Sequence, residues 1–273
     1  MLTCSGLPCI EVTLNGSTPL RLFLDFASNS SYITLAAAEK AKLAGVAKAR
    51  LNRDESQPSF RPITATVNRV QMGALALRES FFVIDPTSAL SVSSSPRGEV
   101  PPGDGSLSYT AFSDRLIILD VPHHRLQVSE VENRSIACAD CAHLVSVLQE
   151  LGGSVLVTDG FAVNGQRTTA IIDPLYTGAI LALGPIPKVV GFEKGPANGS
   201  YREDTLLFVH PVSVTFENRT LSKSAPLVRA DRAYDASGRH YDAVIGLSLL
   251  SKSAFTFDFH NMKIWLSNST SAP

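Results

Sequence analysis

The sequence predicts a mostly-β fold made of two duplicated β-lobes with few short helices. Three observations carry this. Most of the 273 residues fall in short apolar segments punctuated by Gly, Pro, Asn and Ser. One long stretch of the first half aligns without gaps on a stretch of the second half. Each half also contains an apolar strand that ends in an aspartate.

Read in order, "VTLNGSTPLRLFLDFASNSSYIT" (12–34) supplies an Asn-Gly hairpin signal, an apolar strand, Asp25 and a loop of small residues. "LAAAEKAKLAG" (35–45) predicts a helix ending at glycine. "VQMGALALRESFFVID" then reads as β-rich, and the Ser-rich "DPTSALSVSSSPRGEVPPGDG" (85–105) as a surface loop. In the second half, "CAHLVSVLQELGG" (141–153) predicts a helix, and "FAVNGQRTTAIIDPLYTGAIL" (161–181) repeats the hairpin, strand and acid, here Asp173. "VSVTFENRTLSKSAPLVR" matches the earlier β-rich pattern.

The ungapped repeat sets "DGSLSYTAFSDRLIILDVPHHRLQV" (104–128) on "DAVIGLSLLSKSAFTFDFHNMKIWL" (242–266). Asp104 falls on Asp242, Leu107 on Ile245, Asp120 on Asp258, Arg125 on Lys263 and Leu126 on Ile264. Coincidence explains one such block easily, but not two in the same order with an acid in register. The expected organisation is a first lobe over 1–130, a connector over 131–150 and a second lobe over 151–273.

A hydrophobic content of 44% is enough for sizeable cores. The formal net charge is −1 with no long basic run, which disfavours nucleic acid and anionic membrane as partners. No apolar run reaches 18 residues, so no membrane span is expected. "MLTCSGLPCI" lacks the charged and apolar regions of a signal peptide.

The four cysteines form two close pairs, Cys4/Cys9 and Cys138/Cys141, a pattern suited to local disulfides in an oxidising compartment, although three connectivities are open. "CADCAH" also offers His143 as a third metal ligand, but no second CxxC completes a zinc set, and disulfide or free thiol is preferred. No metal or cofactor is expected. Asn-x-Ser/Thr occurs at Asn15, Asn29, Asn133, Asn198, Asn218 and Asn268, acceptors only in a glycosylating host. Asn29, if it lies in a cleft loop, is expected to be unmodified.

An Asn-Gly hairpin, an apolar strand ending in Asp, a small-residue loop and a later "AVIG" closing block together resemble the aspartic peptidases of the pepsin and retropepsin type. The resemblance implies a two-lobed pepsin-like β-barrel architecture in which each lobe lends one aspartate, Asp25 and Asp173, to a shared cleft. Two carboxyls held close cannot both ionise comfortably, so the pair shares a proton. The charged member draws a proton from water while the neutral one donates to the scissile carbonyl.

The loops depart from the family's Asp-Thr/Ser-Gly pattern. The first reads Asp25-Phe26-Ala27-Ser28, with Ser28 where a hydroxyl often supports the outer carboxylate oxygen. Phe26 replaces the hydroxyl residue that cross-links the two loops, and Ala27 replaces a glycine. The second reads Asp173-Pro174-Leu175-Tyr176-Thr177-Gly178. Two alignments are open: Pro174-Leu175 in place of the usual pair, or Pro174-Leu175-Tyr176 inserted before a displaced Thr177-Gly178-Ala179. In the closing blocks Ser108 stands where the second lobe has Gly246.

Function is therefore expected to be peptide-bond hydrolysis by an Asp25/Asp173 dyad, or peptide binding by a catalytically impaired relative. Asp after an apolar strand is also a common turn residue. The expected partner is a peptide or protein in an inter-lobe cleft, with its walls in loops such as 52–66 and 193–205. Two lobes in one chain make a monomer the default, and the cysteine pattern points to an extracytoplasmic or secreted setting.

Overall fold

Apolar runs bounded by turn residues do become strands. The computed structural model describes residues 1–46, 63–84, 103–130, 145–151, 155–183, 192–194, 206–230 and 241–267, and the chain divides into two compact units, Met1–Ala111 and Phe112–Pro273. It is mostly β, with two closed six-stranded barrels and two short helices.

The first unit contains β1 (Leu2–Cys4), β2 (Leu7–Leu14), β3 (Leu20–Asp25), β4 (Ser31–Thr34), β5 (Ile63–Met72), β6 (Leu75–Ile84) and β7 (Gly105–Ser108). Their order is β1-β2-β3-β7-β4-β6-β5, and pairing of Thr13 with Gln71 and Leu14 with Val70 closes β2 onto β5. A disulfide between Cys4 and Cys9 ties the β1–β2 hairpin. Cys138, Cys141 and His143 lie outside the described residues.

The second unit begins with β8 (Arg115–Asp120), β9 (Arg125–Glu130), β10 (Val145–Leu151), β11 (Val155–Val163), β12 (Gln166–Asp173) and β13 (Ile180–Ala182). It continues with β14 (Phe192–Lys194), β15 (Leu206–Phe216), β16 (Arg219–Ala230), β17 (Ala243–Gly246), β18 (Ala254–Asp258) and β19 (Lys263–Ser267). Strands β11-β12-β17-β13-β16-β15 form its barrel, closed by β11–β15. This is the cyclic order of the first barrel, so the sequence repeat is a repeat of topology. The β-rich segments singled out in each half are the hairpins β5/β6 and β15/β16.

The repeat extends to individual hydrogen bonds. Asn15 and Asn164 both adopt positive φ, 49° and 48°, ahead of Gly16 and Gly165 at 79° and 76°. Each asparagine Oδ1 accepts an amide from the barrel-closing strand, Arg69 at 3.2 Å and Ser213 at 2.9 Å. Strands β3 and β12 are buried almost continuously toward their ends, as expected for strands with parallel neighbours, here β7 and β17.

One aspartate per lobe sets the register of these parallel pairs. Asp104 Oδ2 accepts from the Arg21 amide at 2.8 Å, the Asp104 amide donates to the Arg21 carbonyl at 3.2 Å, and its own carbonyl accepts from Thr34 at 2.9 Å. Asp242 does the same with Thr169 and Leu183, at 2.9, 2.7 and 2.8 Å. Three strands are thus joined at one residue.

Hairpins β8/β9 and β18/β19, the tails of the two repeats, pair antiparallel through β8 and β18. Ile118 faces Thr256, its own counterpart in the repeat, while Asp120 faces Ala254 and Leu116 faces Asp258. The repeat therefore exchanges the Asp120/Ala254 pair with the Asp258/Leu116 pair, and a local two-fold axis passes through the Ile118/Thr256 pair. Phe255 of β18 joins this sheet to the second barrel by ring contacts with Phe161 and Phe216, whose centroids lie 6.3 and 5.8 Å away.

Several expectations change. Residues 145–151 are strand β10, paired with β19 and β11, and not part of a helix over 141–153. The apolar positions there fit both periods, and two flanking strands decide for the extended form. Helix α1 spans only Leu35–Lys40, capped by the Thr34 hydroxyl on the Ala37 amide at 3.2 Å. The left-handed residue that closes it, just past the Ala41 cap, is Lys42 (φ 54°) and not Gly45: Leu43 N–H reaches the Ala38 carbonyl and Lys42 N–H the Glu39 carbonyl. The β8/β9 hairpin, assigned by sequence to residues 1–130, is part of the sheet of the second unit. Residues 131–144 of the expected connector, most of the 85–105 loop, and most of the 52–66 and 193–205 loops lie outside the described residues.

The register role is testable by denaturant unfolding. Asp104→Ala and Asp242→Ala should each cost roughly 1–3 kcal/mol, the range for losing a charged hydrogen-bond acceptor. Asp104→Asn, which keeps a side-chain acceptor, should cost less.

Candidate functional site

The two strand-terminal acids occupy equivalent positions. Asp25 ends β3 opposite Ser108 of β7, and Asp173 ends β12 opposite Gly246 of β17. The loop leaving each strand passes over the end of its parallel neighbour and enters a strand on that neighbour's far side, β4 or β13. Each acid is therefore set where three chain segments converge. Both are buried, at 3% and 1% exposure.

Each carboxylate is oriented by its own loop. The Ala27 amide donates to Asp25 Oδ1 at 3.2 Å and the Leu175 amide to Asp173 Oδ1 at 2.8 Å. These matching bonds equate Leu175 with Ala27 and Pro174 with Phe26, and so select the alignment without an insertion at 174–176. The extra residue of the second loop lies further on: Ile33 pairs with Gly105, whereas its counterpart facing Ala243 is Ala182, one position later than the Asp25-to-Ile33 spacing gives.

Phe26, Pro174 and Leu175 are buried, Ala27, Ser28 and Gly178 half-buried, and Thr177 exposed. The Ser28 hydroxyl donates to the Ser30 carbonyl at 3.1 Å and accepts the Ser30 amide at 3.2 Å, so both bonds stay within its own turn.

Sequence reasoning missed how the loops are held, and the two lobes do it differently. In the first, the Ser31 hydroxyl accepts the Ser108 amide at 3.0 Å and donates to Ser108 Oγ at 3.4 Å. Ser108 Oγ also accepts the Thr110 amide at 3.2 Å and bonds the Thr110 hydroxyl, which donates to the Asn29 carbonyl at 3.2 Å. Ser108 is therefore part of a buried clamp on the loop, not merely a lost glycine.

In the second lobe the clamp is Tyr176. A Cβ on Gly246 would lie 2.4 Å from the Tyr176 ring and from the Gly178 carbonyl oxygen, and one on Gly178 would lie 2.3 Å from the Tyr176 hydroxyl. The two glycines leave a slot for the ring. The Tyr176 carbonyl accepts the Leu247 amide at 2.7 Å, anchoring the loop to helix α2 (Leu247–Leu250), and its hydroxyl donates to the Ile180 carbonyl at 3.5 Å. The available signal was the coincidence of an aromatic with two glycines, readable only once their proximity is known.

Burial pushes the Tyr176 phenol up to about 12, with the negative charge of Asp173 adding to the shift. Among the described residues no cluster of three or more His, Cys, Asp or Glu is arranged to hold a metal ion. No protein-family model matches the chain, and no curated protein matches it in sequence.

The raised phenol pKa has a definite sign in stability. A neutral phenol favoured by the fold supports it fully below pH 10 and progressively less as pH rises toward 12. Tyr176→Phe should remove that alkaline loss and delete one phenolate that titrates near pH 12 from an ultraviolet titration. If the number of phenolates titrating near pH 12 is unchanged in Tyr176→Phe, the assignment is wrong.

Proposed function

We propose that the chain is an aspartic-peptidase-like protein, of pepsin or retropepsin type, that hydrolyses peptide bonds with Asp25 and Asp173 acting as one acid pair. The observation that carries this reading is the duplication of the acid itself. Both carboxyls end equivalent strands, both are buried, and both accept the amide two residues on. A turn-forming aspartate does not need to be buried, and burying an acid in each lobe is costly unless the charge is compensated or used.

In the proposed mechanism the two carboxyls share one proton. The ionised member takes a proton from a water molecule, which attacks the scissile carbonyl, while the protonated member donates to the carbonyl oxygen. Collapse of the tetrahedral intermediate passes a proton to the leaving amine. The substrate is a peptide or unfolded protein segment, the working form a monomer, and the setting extracytoplasmic or secreted, in keeping with the Cys4–Cys9 disulfide.

A second reading, binding of peptides without turnover, is favoured by one feature. The first loop carries Ala27 and the second Pro174-Leu175, so neither has the glycine that lets backbone and substrate approach the acids closely.

The test is cleavage of a denatured protein at acid pH. Wild type should cleave, a statine peptide should inhibit, and Asp25→Asn and Asp173→Asn should each lower the rate roughly a thousand-fold or more. Asparagine keeps the Oδ1 acceptor, so the loops stay folded. Activity surviving either substitution would show that other residues carry the chemistry; a wild type that binds statine but never cleaves would establish the second reading.

A further inference from the structure

We infer that Asn218 is an N-glycosylation site, the one among the described acceptor sequences that the fold leaves available. The inference rests on the extracytoplasmic setting proposed above. Three of the six Asn-x-Ser/Thr sequences, at Asn15, Asn29 and Asn218, lie among the described residues.

Asn15 is explained by its turn. Its Oδ1 holds the Arg69 amide, Ser17 Oγ accepts the Leu14 amide at 3.0 Å, and Asn164 performs the same role in the other lobe without an acceptor sequence. Asn29 is half-buried in the loop after Asp25. Its Oδ1 accepts from Ser30 at 2.9 Å, its carbonyl from Thr110 at 3.2 Å, and it stands two residues before the fully buried Ser31. A glycan there would have to displace the clamp on the loop.

Asn218 differs from Asn29 in being exposed, and from Asn15, also exposed, in having a side chain that holds no neighbouring strand among the described residues. It sits at the tip of the β15/β16 hairpin, where Phe216 pairs with Arg219, and Asn218, Arg219 and Thr220 are all exposed. Its φ of 70° is one that glycine adopts freely and asparagine only tolerates. The turn is held without its side chain, by the Glu217 amide on the Gly160 carbonyl at 2.9 Å and by the Glu217–Arg167 ion pair at 3.8 Å. Among the described residues no hydrogen bond engages the Asn218 side chain. A turn that prefers glycine at this position, yet carries an Asn-Arg-Thr sequence pointing into solvent, is suited to carry a sugar.

In the reaction, Asn218 Nδ2 forms a bond to the anomeric carbon of a lipid-diphosphate-linked oligosaccharide. The bond from that carbon to the diphosphate oxygen breaks, the lipid diphosphate leaves, and the amide nitrogen loses one proton.

The test is expression of the full chain behind an appended secretory leader in glycosylating cells, then enzymatic glycan release in heavy-oxygen water and peptide mapping by mass spectrometry. Occupied asparagines are read as labelled aspartates. The expected result is majority occupancy at Asn218, none at Asn29, and loss of one glycan-sized gel shift in Asn218→Gln and in Thr220→Ala but not in Arg219→Ala. Since the leader delivers the chain whatever its native address, an unmodified Asn218 in secreted protein overturns this inference alone. Glycan at Asn29 would overturn the structural argument that separates the two. The compartment reading fails separately, if Cys4 and Cys9 of the native protein are alkylated without prior reduction.

Discussion

Asp104 and Asp242 impose the constraint from which the rest of each lobe follows. Through its carboxylate, amide and carbonyl, each holds a parallel pair and the strand beyond it in one register. Because side chains alternate along a strand, a slip of one residue would turn the strand-end acid to the opposite face. With the register fixed, Asp25 must lie opposite Ser108 and Asp173 opposite Gly246. The loops that follow must then pass over the ends of β7 and β17, and both carboxylates meet the amide two residues on. The site is a consequence of a backbone register, which is why the same arrangement survives in two lobes whose loop sequences have diverged.

The divergence lies in how the loops are clamped. The first lobe uses small hydroxyl residues, each satisfying another in a chain from buried Ser31 and Ser108 through half-buried Thr110 to the Asn29 carbonyl. The second uses one aromatic ring in a slot made by Gly178 and Gly246. The solutions are mutually exclusive at the site of substitution: a side chain at 246 collides with the ring, whereas Ser108 can exist because its loop carries Ser28 in place of Tyr176. Polar satisfaction in one lobe and shape filling in the other give the same result, a loop held against its parallel strand.

Much of this was legible in the sequence, for physical reasons. Hairpin turns announce themselves through Asn-Gly, buried parallel strands through unbroken apolar runs such as "LRLFLD", and duplication through the register of Asp104 with Asp242. Residues 145–151 were misread because Val145, Val147 and Leu148 satisfy a helical and an extended pattern alike, and only the neighbouring strands decide. The association of β8/β9 with β18 is invisible to a repeat search, which pairs like with like along the chain and not across a two-fold axis. A motif comparison shows Ser108 only as a missing glycine and Tyr176 only as part of a possible insertion, because the role of each lies in the space around it.

The proposed function requires that the two equivalent acids act as one pair. Calorimetric titration with a statine peptide tests it without requiring turnover, since the statine hydroxyl imitates the tetrahedral intermediate and needs both carboxyls. The account predicts one molecule bound per chain, with affinity falling at least a hundred-fold in Asp25→Asn and equally in Asp173→Asn. Binding that is indifferent to one of the two substitutions, or two independent molecules per chain, would contradict it.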